Sequence, residues 1–244
     1  MNSLIVSCRL LLSAYKTGQL GQTRMPEDSN PGFVDDEVRL AYFTLPMSLN
    51  YQRDSYKLWE AALATITDHV TSAVFDVKAS ASMNEDELRK KLILHKVALQ
   101  PNKHIATWQT ISQTVVANWG SIGGLLAAAN HDYVQLRELV QHTHKKGFPY
   151  LSGPKIFNYW CFILTQYCGV ELKHADQIDI APDTHITQCS VRLGVISAAE
   201  ADILSKEAIS LRWRTALDGS GIIPIHMHAP LWFWSRNGFL FTFD

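Results

Sequence analysis

APDTHITQCSVRLG, residues 181–194, places an acid directly after a proline and in front of a helical pattern. Pro182 has a fixed φ and holds the residue before it in extended geometry, so the chain enters the bend stiffly. Asp183 then falls at a natural N-cap, where a carboxylate accepts free backbone N–H groups and faces the positive end of the helix. Apolar residues recur at helical spacing as far as Gly194, which predicts a short helix that ends there. An isolated acid at this position is first of all a cap, so any further role depends on the rest of the chain.

The composition is that of an ordinary globular protein, with 244 residues of which 47% are hydrophobic and 18% are charged. The net charge of −1 excludes an overall electrostatic attraction to nucleic acid, but the charges are unevenly distributed. Residues 1–88 carry seven Lys or Arg against twelve Asp or Glu, whereas residues 89–244 carry fifteen against eleven and nine of the ten histidines. We therefore expect any polyanionic partner to meet the second part of the chain.

The four cysteines are scattered without a Cys-x-x-Cys pair, which favours a reducing compartment and argues against a zinc ribbon. The opening stretch MNSLIVSCRLLLSAY is apolar but short, carries Arg9, and has neither a basic start nor a small-residue cleavage site. We interpret it as a core helix rather than a signal peptide. No apolar run reaches the length of a membrane span. We expect a protein that is not secreted and that lies in the cytoplasm with the nucleoid, or in the nucleus.

The stretch TGQLGQTRMPEDSNPG is rich in turn formers and separates a first helix from the rest of the chain. Beyond it, apolar residues three and four apart predict roughly ten helices, without a long alternation of period two. Asn84 is a predicted N-cap, and Ser197 with Glu200 has the spacing of a capping box at the start of a long helical pattern. The predicted class is all-α, with a helix and loop over residues 1–32 and a helical domain over residues 33–244.

KKGFPYLSGPKIFNYWCFIL joins two helical patterns through a glycine-bounded hairpin, which we expect at residues 147–155. A tight turn of this kind exposes several backbone N–H groups, which together with the next helix start suit one phosphate. Lys145 and Lys146 add side-chain cations just before it. Lys155 is unusual, because a cation in the first turn of an apolar helix works against the helix dipole. A lysine that is partly buried at such a place is a candidate nucleophile.

The order of these parts resembles the helix-hairpin-helix DNA glycosylases of the endonuclease III superfamily: a hairpin with Lys155 just past it, then DTH opening a helix that ends in RLG. The similarity extends weakly over residues 36–236. It implies two helical lobes flanking a cleft, Lys155 as a Schiff-base nucleophile and Asp183 as a catalytic carboxylate. The implied activity is excision of a damaged base with AP lyase cleavage of the strand. The 28 positions between the two residues resemble the archaeal oxoguanine glycosylase branch, which suggests an oxidised purine.

The resemblance also implies where DNA and the extruded base would be bound. The segment NYQRD falls where the family probes the opened duplex, although a polar helix start explains it equally well. The implied DNA contacts are Ser152, Gly153, Lys145, Lys146, His185, Asn50, Gln52 and Arg53. The base pocket needs aromatic walls, although core packing is the simpler role for any one ring. The expected pocket residues are Tyr51, Trp59, Trp232 and Trp234.

The hairpin departs from the family pattern L-P-G-(apolar)-G, since the chain has YLSGP and only Gly153 falls on a family glycine. A monovalent cation at the hairpin is the one cofactor that the resemblance allows. No cysteine cluster follows at the C-terminus, so we expect no iron–sulfur cluster, and we expect no other metal. The expected partner is double-stranded DNA that contains a damaged base, bound by a monomer without a membrane.

Two other functions stay open at this point. One is a non-catalytic helix-hairpin-helix module that binds DNA or a repair partner. The other is an enzyme of the same fold that acts on a free nucleoside or nucleotide, which the near-neutral net charge permits. Salt-dependent binding of duplex DNA would separate the second from the glycosylase.

Overall fold

The computed structural model describes residues 3–243, and no strand occurs among them. The all-α class is thereby confirmed, with thirteen α-helices in the described residues. The packing divides the chain into two compact units. The terminal unit comprises Met1–Met25 with Asp176–Asp244, and the central unit comprises Pro26–Ala175. The division therefore falls elsewhere than residue 32, because the first helix packs with the C-terminal part of the chain.

The helices are numbered in chain order. The terminal unit contains α1 (Ser3–Lys16), α10 (Thr184–Arg192), α11 (Ala198–Ile203), α12 (Lys206–Leu217) and α13 (His228–Arg236). The central unit contains α2 (Asp36–Thr44), α3 (Ser55–Thr67), α4 (Val77–Ser82), α5 (Glu85–Leu94), α6 (Pro101–Trp119), α7 (Ile122–Ala128), α8 (Tyr133–Arg137) and α9 (Pro154–Tyr167). No helix within residues 3–243 is both long enough and apolar enough to cross a membrane.

Several helix boundaries follow directly from local capping chemistry. The side chain of Asn84 accepts a hydrogen bond from the backbone N–H of Asp86 and opens α5 (2.9 Å). The capping box of Ser197 and Glu200 is present in both directions and opens α11. Both predicted caps are confirmed. The long pattern after Ser197 is nevertheless broken into two helices, because Ser205 caps the start of α12.

Large aromatic side chains fill the core of the central unit. Trp108 of α6 is fully buried and its indole N–H donates to the carbonyl of Val74 (3.1 Å). Trp160 of α9 is also buried and donates to the hydroxyl of Thr44 at the end of α2 (2.9 Å). Each such ring stabilises the fold by about 1.5–3 kcal/mol through burial. These contacts fix α9, and with it the helix start that carries Lys155.

Helix α13 lies at the centre of the terminal unit, where it packs against both α10 and α1. Cys8, Leu11 and Ala14 form the buried face of α1, which agrees with its interpretation as a core helix. The indole of Trp213 on α12 donates to the hydroxyl of Ser190 on α10 (2.8 Å). The start of α10 is therefore held on a packed scaffold.

Candidate active site

The predicted hairpin lies in the central unit, between the helical turn Lys145–Gly147 and α9. The backbone N–H of Ser152 donates to the carbonyl of Phe148 (2.9 Å), and that of Gly153 donates to the carbonyl of Tyr150 (3.0 Å). These donors are satisfied inside the turn, so the expectation that they are free for a phosphate is wrong. A DNA contact of Ser152 or Gly153 stays a prediction, but it cannot use these N–H groups while the turn is intact.

Lys155 is the second residue of α9, and its side chain is exposed. The expected partial burial is wrong, because this position faces outward while Phe157 and Trp160 of the same helix face the core. Gly153, at the N-cap position, supplies no side-chain cap to the helix. The amine of Lys155 is accessible to a substrate as large as DNA.

The segment just before the hairpin carries the two lysines that the sequence places there. Lys145 and Lys146 are both exposed. Gly147 follows them and packs closely on Thr114, where an added Cβ would lie 2.4 Å from the threonine methyl carbon. Glycine is required here by this close approach. The two lysines are thus presented at a fixed point of the surface, beside the hairpin.

The hairpin meets the NYQRD segment, which lies a hundred positions away in the sequence. The rings of Tyr51 and Tyr150 stack, with centroids 4.1 Å and planes 15° apart. Tyr150 has φ +60° and Gln52 has φ +51°, a left-handed region that non-glycine residues rarely adopt. Such backbone conformations concentrate at ligand-binding and catalytic sites. Two predicted DNA-contacting segments therefore form one surface of the central unit.

The polar side chains of residues 50–53 differ in how accessible they are to DNA. Arg53 is committed to the backbone, since its guanidinium donates to the carbonyls of Val97 (2.7 Å) and Lys96 (3.3 Å). The amide oxygen of Asn50 accepts a hydrogen bond from the Ser55 hydroxyl (2.8 Å). Gln52 is exposed at the tip of the bend. Of the three predicted contacts in this segment, the side chain of Gln52 is the most accessible to DNA.

Asp183 opens α10 in the terminal unit, as the sequence predicts. Its Oδ1 accepts a hydrogen bond from the backbone N–H of Ile186 (2.9 Å), and its carbonyl accepts one from the backbone N–H of Thr187 (2.9 Å). The helix ends at Arg192 with Leu193 as its C-cap, and Gly194 follows at the C′ position with φ +71°. The N-cap and the predicted end are both confirmed. Asp183 is half-buried, so its carboxylate is a cap that also reaches the surface of its unit.

His185 is the second residue of the same helix, two positions after Asp183. Its Nδ1 is 3.0 Å from the hydroxyl of Ser235, which in turn donates to the amide oxygen of Gln188 (2.8 Å). Because the hydroxyl of Ser235 donates to Gln188, Nδ1 of His185 is the donor in the hydrogen bond between the ring and this hydroxyl. The ring meets the edge of Trp232 at a centroid distance of 5.6 Å. His185 and the half-exposed Trp232 thus lie together at the start of α10.

Two of the four predicted pocket aromatics, Trp59 and Trp234, are core residues. Trp234 is 2% exposed and its indole donates to the carbonyl of Phe241 (2.8 Å). Trp59 is fully buried and lies 5.5 Å, between ring centroids, from both Tyr42 and Phe43. Neither ring can stack on a base in this arrangement. The indole N–H of Trp59 is nevertheless a buried donor without a hydrogen-bond partner in the described chain.

Cys189 is the thiol of α10 and lies six positions after Asp183. Burial, with a contribution from the negative charge of Asp183, raises the pKa of the Cys189 thiol to about 12. Its sulfur also lies 3.1 Å from the carbonyl oxygen of Leu231. The thiol is therefore protonated at neutral pH and cannot act as a thiolate nucleophile.

The structure gathers the site residues into two groups, one in each unit. The hairpin, Lys155 and residues 50–53 belong to the central unit, whereas Asp183, His185 and Trp232 belong to the terminal unit. The pairing of Lys155 with Asp183 stays a prediction. Within residues 3–243, no three His, Cys, Asp or Glu side chains come together as a metal site would require.

Sequence reasoning missed Glu27, which is fully buried although it lies in the turn-rich stretch before α2. Nothing in the neighbouring sequence signals its burial, because the residues that cover it come from α2, α3 and α9.

Comparison of the sequence with models of known protein families finds no match, and comparison with curated proteins finds no significant similarity. The functional argument therefore depends on the residues themselves.

Proposed function

We propose that the protein is a base-excision DNA glycosylase with AP lyase activity, built on the helix-hairpin-helix glycosylase fold. The observation that supports this most is the accessible amine of Lys155 in the first turn of α9, directly behind a tight hairpin. The stack of Tyr51 on Tyr150 adds support, since it joins the hairpin to the exposed Gln52 in one surface that duplex DNA can cover.

The chemistry needs an amine and an acid. The amine of Lys155 attacks C1′ of the damaged nucleotide, and the base leaves with the electron pair of the glycosidic bond and takes up a proton. Opening of the sugar gives a Schiff base with the lysine. Loss of a proton from C2′ then expels the 3′ phosphate, and water releases the lysine from the product. Asp183 accepts the proton of the amine and stabilises the cationic sugar.

Borohydride trapping tests this proposal, since it reduces the Schiff base to a stable protein–DNA adduct. We expect trapping of the wild-type protein on at least one member of a panel of lesion-containing duplexes. Lys155→Gln should abolish it. Lys78→Gln is the matched control, because Lys78 is an exposed lysine in the first turn of a different helix, α4. Full trapping by the Lys155 variant would overturn the assignment.

A non-catalytic DNA-binding module is the second candidate, and the exposure of Lys145, Lys146 and Lys155 favours it. Three accessible cations beside one hairpin suit phosphate contacts whether or not chemistry follows. This candidate predicts salt-dependent duplex binding with no base release from any lesion. Base release by the wild type that is lost in Lys155→Gln would exclude it.

A further inference from the structure

A cavity of about 480 Å³ lies in the terminal unit, beside α10. Its volume is within the range of sites for small molecules. One face of α10 forms a wall of this cavity, through Thr184, Thr187, Gln188, Val191 and Arg192. These positions recur three and four residues apart, so their side chains lie together on the helix surface. The rest of the lining comes from α11, the first residue of α12 and the segment after α13.

Arg192 is held at this wall by two aromatic rings. Its guanidinium carbon lies 4.6 Å from the ring centroid of Phe239 and 5.6 Å from that of Trp234. Phe239, which also lines the cavity, has φ +59°. Bulky residues rarely adopt this left-handed conformation, and it concentrates at binding sites. The guanidinium is therefore fixed in position, and none of its N–H groups has a hydrogen-bond acceptor within residues 3–243.

Lys206, the first residue of α12, is fixed by a hydrogen bond to α10. Its Nζ donates to the hydroxyl of Thr187 (2.9 Å), which in turn donates to the carbonyl of Asp183 (2.6 Å). An ammonium group has three N–H donors, so two of them remain for a ligand. Neither Lys206 nor Arg192 forms an ion pair with any acid that the structure describes.

The other polar groups of the cavity decide which ligand fits. The amide oxygen of Gln188 accepts a hydrogen bond from the hydroxyl of Ser235 (2.8 Å), so its NH₂ group is left to donate to a ligand. Among the residues that line the cavity, Asp202 is the one acid, and it is exposed. Two cations and one acid give the lining a charge of +1. A ligand with several acceptor oxygens and more than one negative charge therefore fits better than a neutral or cationic one.

We propose that this cavity binds the terminal phosphate of a phosphate monoester. Such a phosphate has three acceptor oxygens and close to two negative charges at neutral pH, whereas a diester has two free oxygens and one charge. The planar fork of Arg192 can pair with two of the oxygens, and Lys206 adds a compact positive charge. The volume is much larger than a phosphate group, so part of the molecule that carries the phosphate enters with it.

Two sources can supply a terminal phosphate. One is a free nucleotide. The other is the 5′ end of a cut DNA strand, since the proposed lyase step leaves the expelled phosphate on the downstream fragment. This second source rests on the proposed function. Asp183 opens the helix that forms the cavity wall, so a bound strand end would lie on the same element as the proposed catalytic carboxylate.

Equilibrium binding of thymidine 5′-monophosphate, its phosphate methyl ester and thymidine tests the site. We expect the monophosphate to bind at least about tenfold more tightly than thymidine, because only the monophosphate engages the two cations. The methyl ester should fall between them, because it has one charge. Lys206→Gln and Arg192→Gln should each weaken the monophosphate about tenfold, as for the loss of one charged hydrogen bond.

A second pair of probes distinguishes the two sources. A short single-stranded oligonucleotide with a 5′ phosphate is compared with the same strand ending in a 5′ hydroxyl, so that only the terminal phosphate differs. Tighter phosphate-dependent binding of the strand than of thymidine monophosphate assigns the strand end. The reverse order, or equal binding, assigns the free nucleotide. No preference for the phosphate in either pair would overturn the site.

The control variants match the two cations. Lys57→Gln changes an exposed lysine in the first turn of α3. Arg137→Gln changes an arginine that, like Arg192, ends its helix and packs over a ring, here that of Tyr133 (5.5 Å). Both should bind the phosphate probes as the wild type does. Phosphate binding by Lys206→Gln and Arg192→Gln at the level of these controls would overturn the proposal.

Asp202→Asn guards against a folding defect, because a damaged site cannot gain affinity. It removes the negative charge from the lining and should tighten binding of the phosphate probes several-fold. Weaker binding by this variant would contradict the proposal. Borohydride trapping is run in parallel. Trapping without phosphate-dependent binding rejects this inference alone, whereas phosphate-dependent binding without trapping rejects the lyase proposal alone.

Discussion

The two helix starts that carry the proposed catalytic residues are built in opposite ways. Asp183 opens α10 and is bonded to the backbone N–H of Ile186, so the acid is part of the architecture of its helix. Lys155 sits in the first turn of α9, where Gly153 supplies no side-chain cap, and its side chain projects outward. The amine of Lys155 does not cap the helix that carries it. We therefore expect a substitution of Asp183 that removes the cap to change stability as well as the proposed chemistry, and a substitution of Lys155 to leave stability unchanged.

The largest expected effect separates the capping role of Asp183 from its proposed catalytic role. Asparagine caps a helix nearly as well as aspartate, so Asp183→Asn keeps the hydrogen bond and removes the charge. We expect this variant to lose roughly 10²–10⁴-fold in single-turnover base release, the range for a positioned acid or base. Its affinity for lesion DNA should stay near that of the wild type. Unchanged base release would reduce Asp183 to a cap.

Glu27 sharpens the comparison, because it is an acid without the hydrogen bond that Asp183 has. The pKa of Glu27 is raised from 4.5 to about 7 by burial, so the folded protein holds this proton more tightly than the unfolded chain. The associated stability is present below pH 4.5 and is lost as the pH rises to 7. Glu27→Gln should therefore gain about 3 kcal/mol over the wild type between pH 4.5 and pH 8. Urea unfolding at both pH values measures this difference.

The matched control for that measurement is Glu60→Gln, which removes an exposed carboxylate on α3. Its unfolding free energy should follow that of the wild type at both pH values. A Glu27 variant that did the same would show that the carboxyl is solvated in the folded protein.

The smallest expected effect compares the two helix starts directly. Asp183→Ala removes the cap and should cost about 1 kcal/mol of stability. Lys155→Ala should change stability by less than about 0.5 kcal/mol, because an exposed side chain away from a cap contributes little. Thermal unfolding of the two variants gives both values. A larger loss for Lys155→Ala would mean that the amine supports the fold.

Local chemistry explains which parts of the fold could be predicted. The starts of α5, α10 and α11 follow from Asn84, Asp183 and Ser197, because each cap acts within three residues of itself. The separate start of α12 at Ser205 carried the same kind of signal, but an unbroken apolar pattern around it concealed the break.

Tertiary packing decides what could not be predicted. The hairpin satisfies its own N–H groups because Tyr150 adopts φ +60°, which a tyrosine seldom does. Burial of Glu27 depends on Trp59 and Tyr159, which are far from it in sequence. The exposure of Lys155 depends on which face of α9 turns to the core, and apolar neighbours alone did not fix that face.

The central claim is that the amine of Lys155 and the acid of Asp183 serve one reaction. A double-mutant cycle on single-turnover base release, with Lys155→Gln, Asp183→Asn and the double variant, tests it most directly. Residues that act as a unit show strongly non-additive losses. We predict that the double variant is no slower than the slower single variant. Losses that multiply across the cycle would show two independent contributions and contradict the claim.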